Sequence, residues 1–273
     1  MELHLLGTGS PIPDPNRAGP TALVKAGDTQ LLLDAGRAVV MRMAGAGTTP
    51  ANLNAVLITH FHSDHIAALN DVLTTHWVMT QGLGVLKIFG PPGIVQLVDR
   101  TLAMLEPDIG YRIAHHEQLT EGPKVDVTEL EAGDSFTVND VSITTAATEH
   151  PPVFPTIGYR LEHDGVAAAL VGDTNACEGV DTLAANADAY LQSVIRKDLV
   201  PLIPNDMIQD ILDYHSGVVE AAQTAARVGA KRLLLTHMVP PPPPDQYPDW
   251  VGRAAEHFDG EIILGDDLTM IEF

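Results

Sequence analysis

Short apolar runs alternate with polar loops along the whole chain, and Gly or Pro interrupts most runs before they reach helical length. The runs at 3–6, 21–24, 31–33, 55–58, 86–89, 141–145, 157–161, 167–171, 189–194, 233–235 and 262–264 are rich in Leu, Val, Ile and Ala, and predict buried strands. Longer stretches at 38–44, 66–78, 93–105, 180–186, 207–212, 218–228 and 248–257 predict helices. Within 218–228, Ala and Val recur at helical spacing over Glu220 and Gln223, and Gly229 supplies the stop. Strands interleaved with helices predict a layered α/β protein. No repeat or low-complexity linker divides the chain, and the proline stretch at 239–244 is short enough to be a stiff surface loop. One domain over 1–273 follows, with an insertion at about 75–125 expected to shape a cleft.

Several predicted strands end on an ionisable residue: LLLD at Asp34, AVLITH at His60, SITTAATEH at His150, AAALVGD at Asp173 and RLLLTH at His237. Strands that deliver such residues at their carboxyl ends align them on one rim, where loops build sites. Chance accounts for one or two endings of this kind; a shared site accounts for the set. The loop after AVLITH is the densest point, with His60, His62, Asp64 and His65 crowded together. Imidazoles and a carboxylate are costly to desolvate at a strand end unless something binds them. A polar, helix-capping loop with Asp64 as the cap is the plainer reading, and the convergent strand ends argue against it.

Composition narrows the chemistry. Hydrophobic residues make up 45% of the chain, enough for a large core. Cys177 is the single cysteine, which excludes an internal disulfide and a thiolate zinc cage. A metal site must then use His and carboxylate, a donor set suited to zinc, with manganese, iron or cobalt as substitutes. The net charge of −21 repels polyanions at long range and disfavours RNA as a partner, although a metal site can still draw in one anionic group. The first residues show no basic leader before an apolar segment, and no run approaches the length of a membrane span, so the cytoplasm is the expected location.

The run THFHSDH at 59–65 matches the HxHxDH signature of the metallo-β-lactamase superfamily, and His150, GDT at 172–174 and THMVP with His237 follow in order. The opening LLGTGSPIPDPNRAGP and the YHSGVVEAA segment at 214–222 are similar to the ribonuclease Z and arylsulfatase-like branch, in its short form. The resemblance implies an αββα four-layer sandwich. It implies two zinc ions per chain, one held by His60, His62 and His150, the other by Asp64, His65 and His237, with Asp173 bridging. Relatives with a redox di-iron centre place a Glu in this loop, where Ser63 or Asp64 stands here, so the hydrolytic branch fits better.

In such a centre, two zincs about 3.5–4 Å apart polarise a bridging hydroxide as nucleophile. The expected catalytic residues are Asp64, which orients the nucleophile or shuttles its proton, and His215, which matches the His of the HST segment and serves the leaving group. The plainer reading of His215 is a histidine ahead of a helix. A phosphodiesterase acting on a small anionic or ester substrate is the first expectation. An arylsulfatase or lactonase on the same centre is the alternative, and a non-catalytic metal-binding protein the second alternative. The resemblance also implies a homodimer.

Two departures bear on RNA. Between His150 and Asp173 only 151–172 intervene, which leaves no room for a tRNA-binding arm, and the Glu of the HEAT segment is replaced by Ser193. Other signals are weaker. Gly7-Thr8-Gly9 lacks the full dinucleotide pattern and reads as a tight turn. Asp34 reads as a residue that steadies a metal-binding His or as a turn aspartate. Residues 108–117 suit a cleft, a dimer contact or plain surface equally; Arg196 and Lys197 suit an anionic substrate or solvent. Trp77 is expected in a core or interface, and Cys177 as a small hydrophobe.

Overall fold

The computed structural model describes all of residues 1–273. In chain order the first half holds β1 (Glu2–Gly7), β2 (Thr21–Ala26), β3 (Thr29–Leu33), α1 (Val39–Gly45), β4 (Ala55–Leu57), α2 (Ser63–Ile66), α3 (Leu69–Met79), β5 (Val85–Gly90), α4 (Ile94–His115) and β6 (Lys124–Glu129). The second half holds β7 (Ser135–Val138), β8 (Val141–Ala147), β9 (Ile157–His163), β10 (Val166–Leu170), α5 (Glu178–Ala184), β11 (Ala189–Ile195), α6 (Asp206–Gln209), α7 (Val218–Val228), β12 (Arg232–Val239), α8 (Tyr247–Ala255), β13 (Glu261–Leu264) and β14 (Thr269–Glu272).

The strands form two seven-stranded mixed sheets, ordered β14-β1-β2-β3-β4-β5-β6 and β13-β12-β11-β10-β9-β8-β7. Side chains alternate across each strand, and both faces find an apolar partner. Leu3, Leu5, Val24, Leu31 and Leu57 from the first sheet meet Tyr159, Leu161, Ala168, Leu170 and Leu191 from the second in a shared core. The alternate positions Leu23, Leu32, Val56 and Ile88 pack outward with residues of α1, α3 and α4. Ala169, Val171, Tyr190, Leu233 and Leu235 pack outward with residues of α5, α7 and α8. Burial on both faces explains why these strands read as continuous apolar runs. The architecture is the αββα sandwich of the metallo-β-lactamase fold.

The stretch at about 75–125 is woven into the first sheet: β5 lies between β4 and β6, and α4 packs against β6. The proline segment carries on from β12 into a short turn and α8. No helix is long and apolar enough to cross a membrane.

Candidate metal centre

Four strand ends and one short helix deliver the ligand-type residues to a single point. Beyond β4 the chain passes through Thr59 and His60 to His62, then folds into α2, which carries Asp64 and His65. The ends of β8 and β10 lead to His150 and Asp173, and β12 itself contains His237. Between Ser193 and Ile195 of β11, β12 advances from Thr236 to Val239, so it carries one extra residue. His237 lies in this bulge with φ 52°. A bulge re-aims a side chain, and here it turns His237 toward Asp64. Gly36 lets the strand ends close up: a Cβ there would stand 2.4 Å from the carbonyl carbon of Gly19 and 2.8 Å from the main-chain oxygen of Asp64.

His60, His62, His150 and Asp173 form one group with donor atoms all within 4.8 Å of one another; Asp64, His65 and His237 form a second. Asp173, His215 and His237 form a third such group, which links the first two through Asp173 and His237. Asp173 Oδ2 stands 3.2 Å from His65 Nε2, 3.3 Å from His237 Nε2 and 3.3 Å from His215 Nε2. His237 Nε2 is also 3.1 Å from Asp64 Oδ2.

Hydrogen bonds behind the cluster set the imidazole tautomers. His65 Nδ1–H donates to Asp34 Oδ2 over 2.7 Å, which leaves Nε2 facing the carboxylates. The Thr59 hydroxyl donates to Asp34 Oδ2 over 3.0 Å, so the 3.0 Å bond between Thr59 Oγ1 and His60 Nδ1 must take its proton from the imidazole. His60 Nε2 is then an open lone pair. His150 Nδ1–H donates to the main-chain oxygen of Tyr214 over 2.9 Å, and its Nε2 comes within 3.1 Å of His62 Nδ1.

Burial lowers the proton affinity of His60, His62 and His150, the last to about 4. These rings are held neutral, the form that binds a cation. His65 and His237 are buried as well, but the carboxylates of Asp173, Asp34 and Asp64 outweigh desolvation and raise both. Burial would raise Asp173, yet His237 and His65 pull it well below the carboxylate range.

His60 Nε2 and Asp173 Oδ1 are fully buried and have no hydrogen-bond partner. Leaving such atoms unsatisfied costs about 1–3 kcal/mol each. They point into a nest of nitrogen and carboxylate donors, so the residues fit a divalent cation.

A cleft of about 330 Å³ opens above this nest. Its floor includes His62, Asp64, Asp173, His215 and His237, and its walls are Pro11 and Ile12 on one side and Met207, Ile208, Ile211 and Tyr214 on the other. No residue from 75–125 lines it, including 108–117, whose first part forms the partly exposed last turns of α4. The predicted helix at 207–212 is instead the short α6 followed by a 3₁₀ turn, Asp210–Asp213.

His215 is buried at the cleft floor, stacked on His237 with ring centroids 5.5 Å apart. Its Nδ1 has no partner. Arg196 does not line the cleft and is held by carboxylates. Its guanidinium donates to Asp198 over 2.8 and 2.9 Å and to Asp249, and lies over the Trp250 ring. Lys197 pairs with Glu220 at 2.9 Å. Trp77 is buried in the core, where its indole donates to Glu121 O, and Cys177 is half-buried beside Thr174. Sequence reasoning passed over Thr59 and Tyr214; a threonine directly before the first histidine was the one visible signal.

The Beta-lactamase superfamily domain matches residues 29–238. The Ribonuclease Z of Mycobacterium bovis (strain BCG / Pasteur 1173P2) is 51% identical over 274 residues, covering 100% of this chain and 98% of that protein. Among solved structures, the metallo-beta-lactamase fold protein YhfI from Bacillus subtilis superposes with a TM-score of 0.76 at 21% identity, covering 99% of this chain and 98% of that one. Human tRNase Z, short form, superposes with a TM-score of 0.73 at 21% identity, covering 100% and 99%. The mycobacterial protein is matched over nearly its full length, so it has no inserted arm either. The lack of an arm therefore does not set this chain apart from proteins named ribonuclease Z, and the expectation that RNA is disfavoured loses that support. The chain belongs to the ribonuclease Z family of the Beta-lactamase superfamily and is a metal-dependent hydrolase of the phosphodiesterase class.

Proposed function

We propose that the chain hydrolyses phosphodiester bonds in RNA at a two-zinc centre. His60, His62 and His150 would hold one ion, Asp64, His65 and His237 the other, with Asp173 shared between them. The observation that carries this reading is the merging of two donor groups at one carboxylate whose second oxygen has no partner. The relatives named Ribonuclease Z point to RNA as the substrate. When bound, the cations supply Lewis-acid charge that acidifies water and offsets the negative charge gathering on phosphorus.

The chain's own residues do the rest. Asp64, beside His237, orients the attacking oxygen and takes up its proton. His215, on the cleft floor next to Asp173, gives a proton to the departing oxygen. The walls of Ile12, Ile208 and Ile211 limit access of bulk water to the reacting phosphate.

The test is a panel of a precursor-tRNA transcript, bis-p-nitrophenyl phosphate, p-nitrophenyl sulfate and a lactone, each with and without chelator. Chelator-sensitive cleavage of the transcript and the phosphodiester is expected. Turnover confined to the sulfate or the lactone would overturn the reading, as would cleavage that survives complete removal of metal.

A further inference from the structure

RNA has to approach a molecule of net charge −21, so the placement of its few cations decides where phosphate can be held. Every arginine except Arg37 and Arg100 sits in an ion pair with Asp or Glu. Lys124, Lys197 and Lys231 are paired in the same way. Lys25 and Lys87 have no carboxylate partner, but they lie at the strand ends away from the site: Lys25 is opposite Glu2, and Lys87 opposite Ala55. Arg100 stands on the outer surface of α4 and lines no part of the cleft.

Arg37 is the unpaired cation next to the cleft: it does not line the cavity itself, but it is hydrogen-bonded to Pro11, which does. Its backbone lies against the metal loop, since a Cβ on Gly19 would meet Arg37 N at 2.5 Å and Asp64 O at 3.0 Å. The side chain is exposed, and its Nη2 donates to the main-chain oxygens of Ser10 at 2.9 Å and Pro11 at 3.3 Å. Pro11 and Ile12 form the cleft wall, so the guanidinium is braced on the outside of that wall. Two carbonyls leave several of its five N–H groups free. A braced guanidinium with open donors and no counter-charge suits a phosphate.

We propose that Arg37 forms a phosphate-binding subsite at the mouth of the cleft, which holds a phosphodiester flanking the one that is cleaved. This rests on the RNA reading above. The subsite offsets the repulsion of the acidic surface where the strand enters, and it gives a polynucleotide an advantage over a small diester that carries only its reacting phosphate.

The experiment compares the wild type with Arg37→Gln, which removes the charge together with the Nη donors that hold Ser10 and Pro11, and with Arg100→Gln as the surface control. KM for a single-stranded RNA oligonucleotide and for bis-p-nitrophenyl phosphate is measured across a salt series. Arg37→Gln should raise KM for the oligonucleotide about five- to tenfold and lower the slope of log KM against log salt by about 0.7. Its effect on bis-p-nitrophenyl phosphate should be several-fold smaller, and Arg37→Lys should recover part of the loss. An unchanged salt slope, or equal losses on both substrates, would overturn the subsite and make Arg37 a brace for the wall only. Wild-type protein that leaves the oligonucleotide and the precursor-tRNA transcript intact would sink the RNA reading and the subsite with it, whereas the Arg37 outcomes bear on the subsite alone.

Discussion

The carboxylate of Asp34 accepts the proton of His65 Nδ1 and the hydroxyl of Thr59, which in turn fixes His60. One side chain thus orders two rings that face the cluster. Asp34→Ala should weaken zinc binding about 10- to 100-fold, read by competition with a chelating dye. Unchanged affinity would mean that packing alone orders the rings. His215 offers the opposite separation. His215→Ala should lower turnover about 10²- to 10⁴-fold while the protein still binds its full complement of metal. A matching collapse in metal content would make it a ligand through Asp173's neighbourhood rather than a proton donor. The crowded loop from His60 to His65 was legible in sequence because four donors fall within six positions. What supports them was not. Tyr214 acts through its main-chain oxygen, which any residue carries, and the positive φ of His237 arises from a bulge between neighbouring strands.

At the level of elements, the missed strands share one property. β6 and β14 are the two edges of the first sheet, and β7 is an edge of the second. An edge strand has one neighbour and partly exposed faces, so KVDVTE, SFTV and TMIE carry charge or hydroxyl where central strands carry Leu and Val. The other departure is α4, expected to stop near 105 but running to His115 through Pro107. Proline normally ends a helix because it lacks an N–H and its ring crowds the carbonyl four residues back. Here the half-buried side chains of Leu102, Leu105, Ile109 and Ile113 continue the stripe on both sides of it, and packing overrides the local penalty. Pro107 is exposed, so Pro107→Ala restores a backbone bond and removes no packing. It should stabilise the protein by about 1–3 kcal/mol, seen as a Tm higher by several degrees with activity unchanged. A lower Tm would mean that the proline fixes a bend the fold requires.

Across the whole molecule, the centre joins two halves that otherwise meet through a shared apolar core and a few hydrogen bonds, such as Tyr159 Oη–H to Ile58 O and Thr29 Oγ1–H to Asp140 Oδ1. The first sheet and its loop supply His60, His62, Asp64 and His65; the second supplies His150, Asp173 and His237. The pairing of the halves and the shared place of Asp173 were legible as a family pattern, because residues far apart in sequence recur in a fixed order, but the distances at which they meet needed coordinates. That geometry makes bound cations a cross-link as well as a reagent. A ligand that binds only the folded state stabilises it by about 2.7 kcal/mol when present at 100 times its Kd. In a domain of this size each kcal/mol moves Tm by about 2–4 °C. Stripping the metal should therefore lower Tm by about 5–10 °C, with activity lost in step, and added zinc should restore both. The effect should not depend on which half is probed, since Trp77 lies with the first sheet and Trp250 with the second. Fluorescence of variants retaining one tryptophan each should give coincident melts with and without metal. If chelation loosens only one half, the ions belong to that half alone, and the shared role assigned to Asp173 fails.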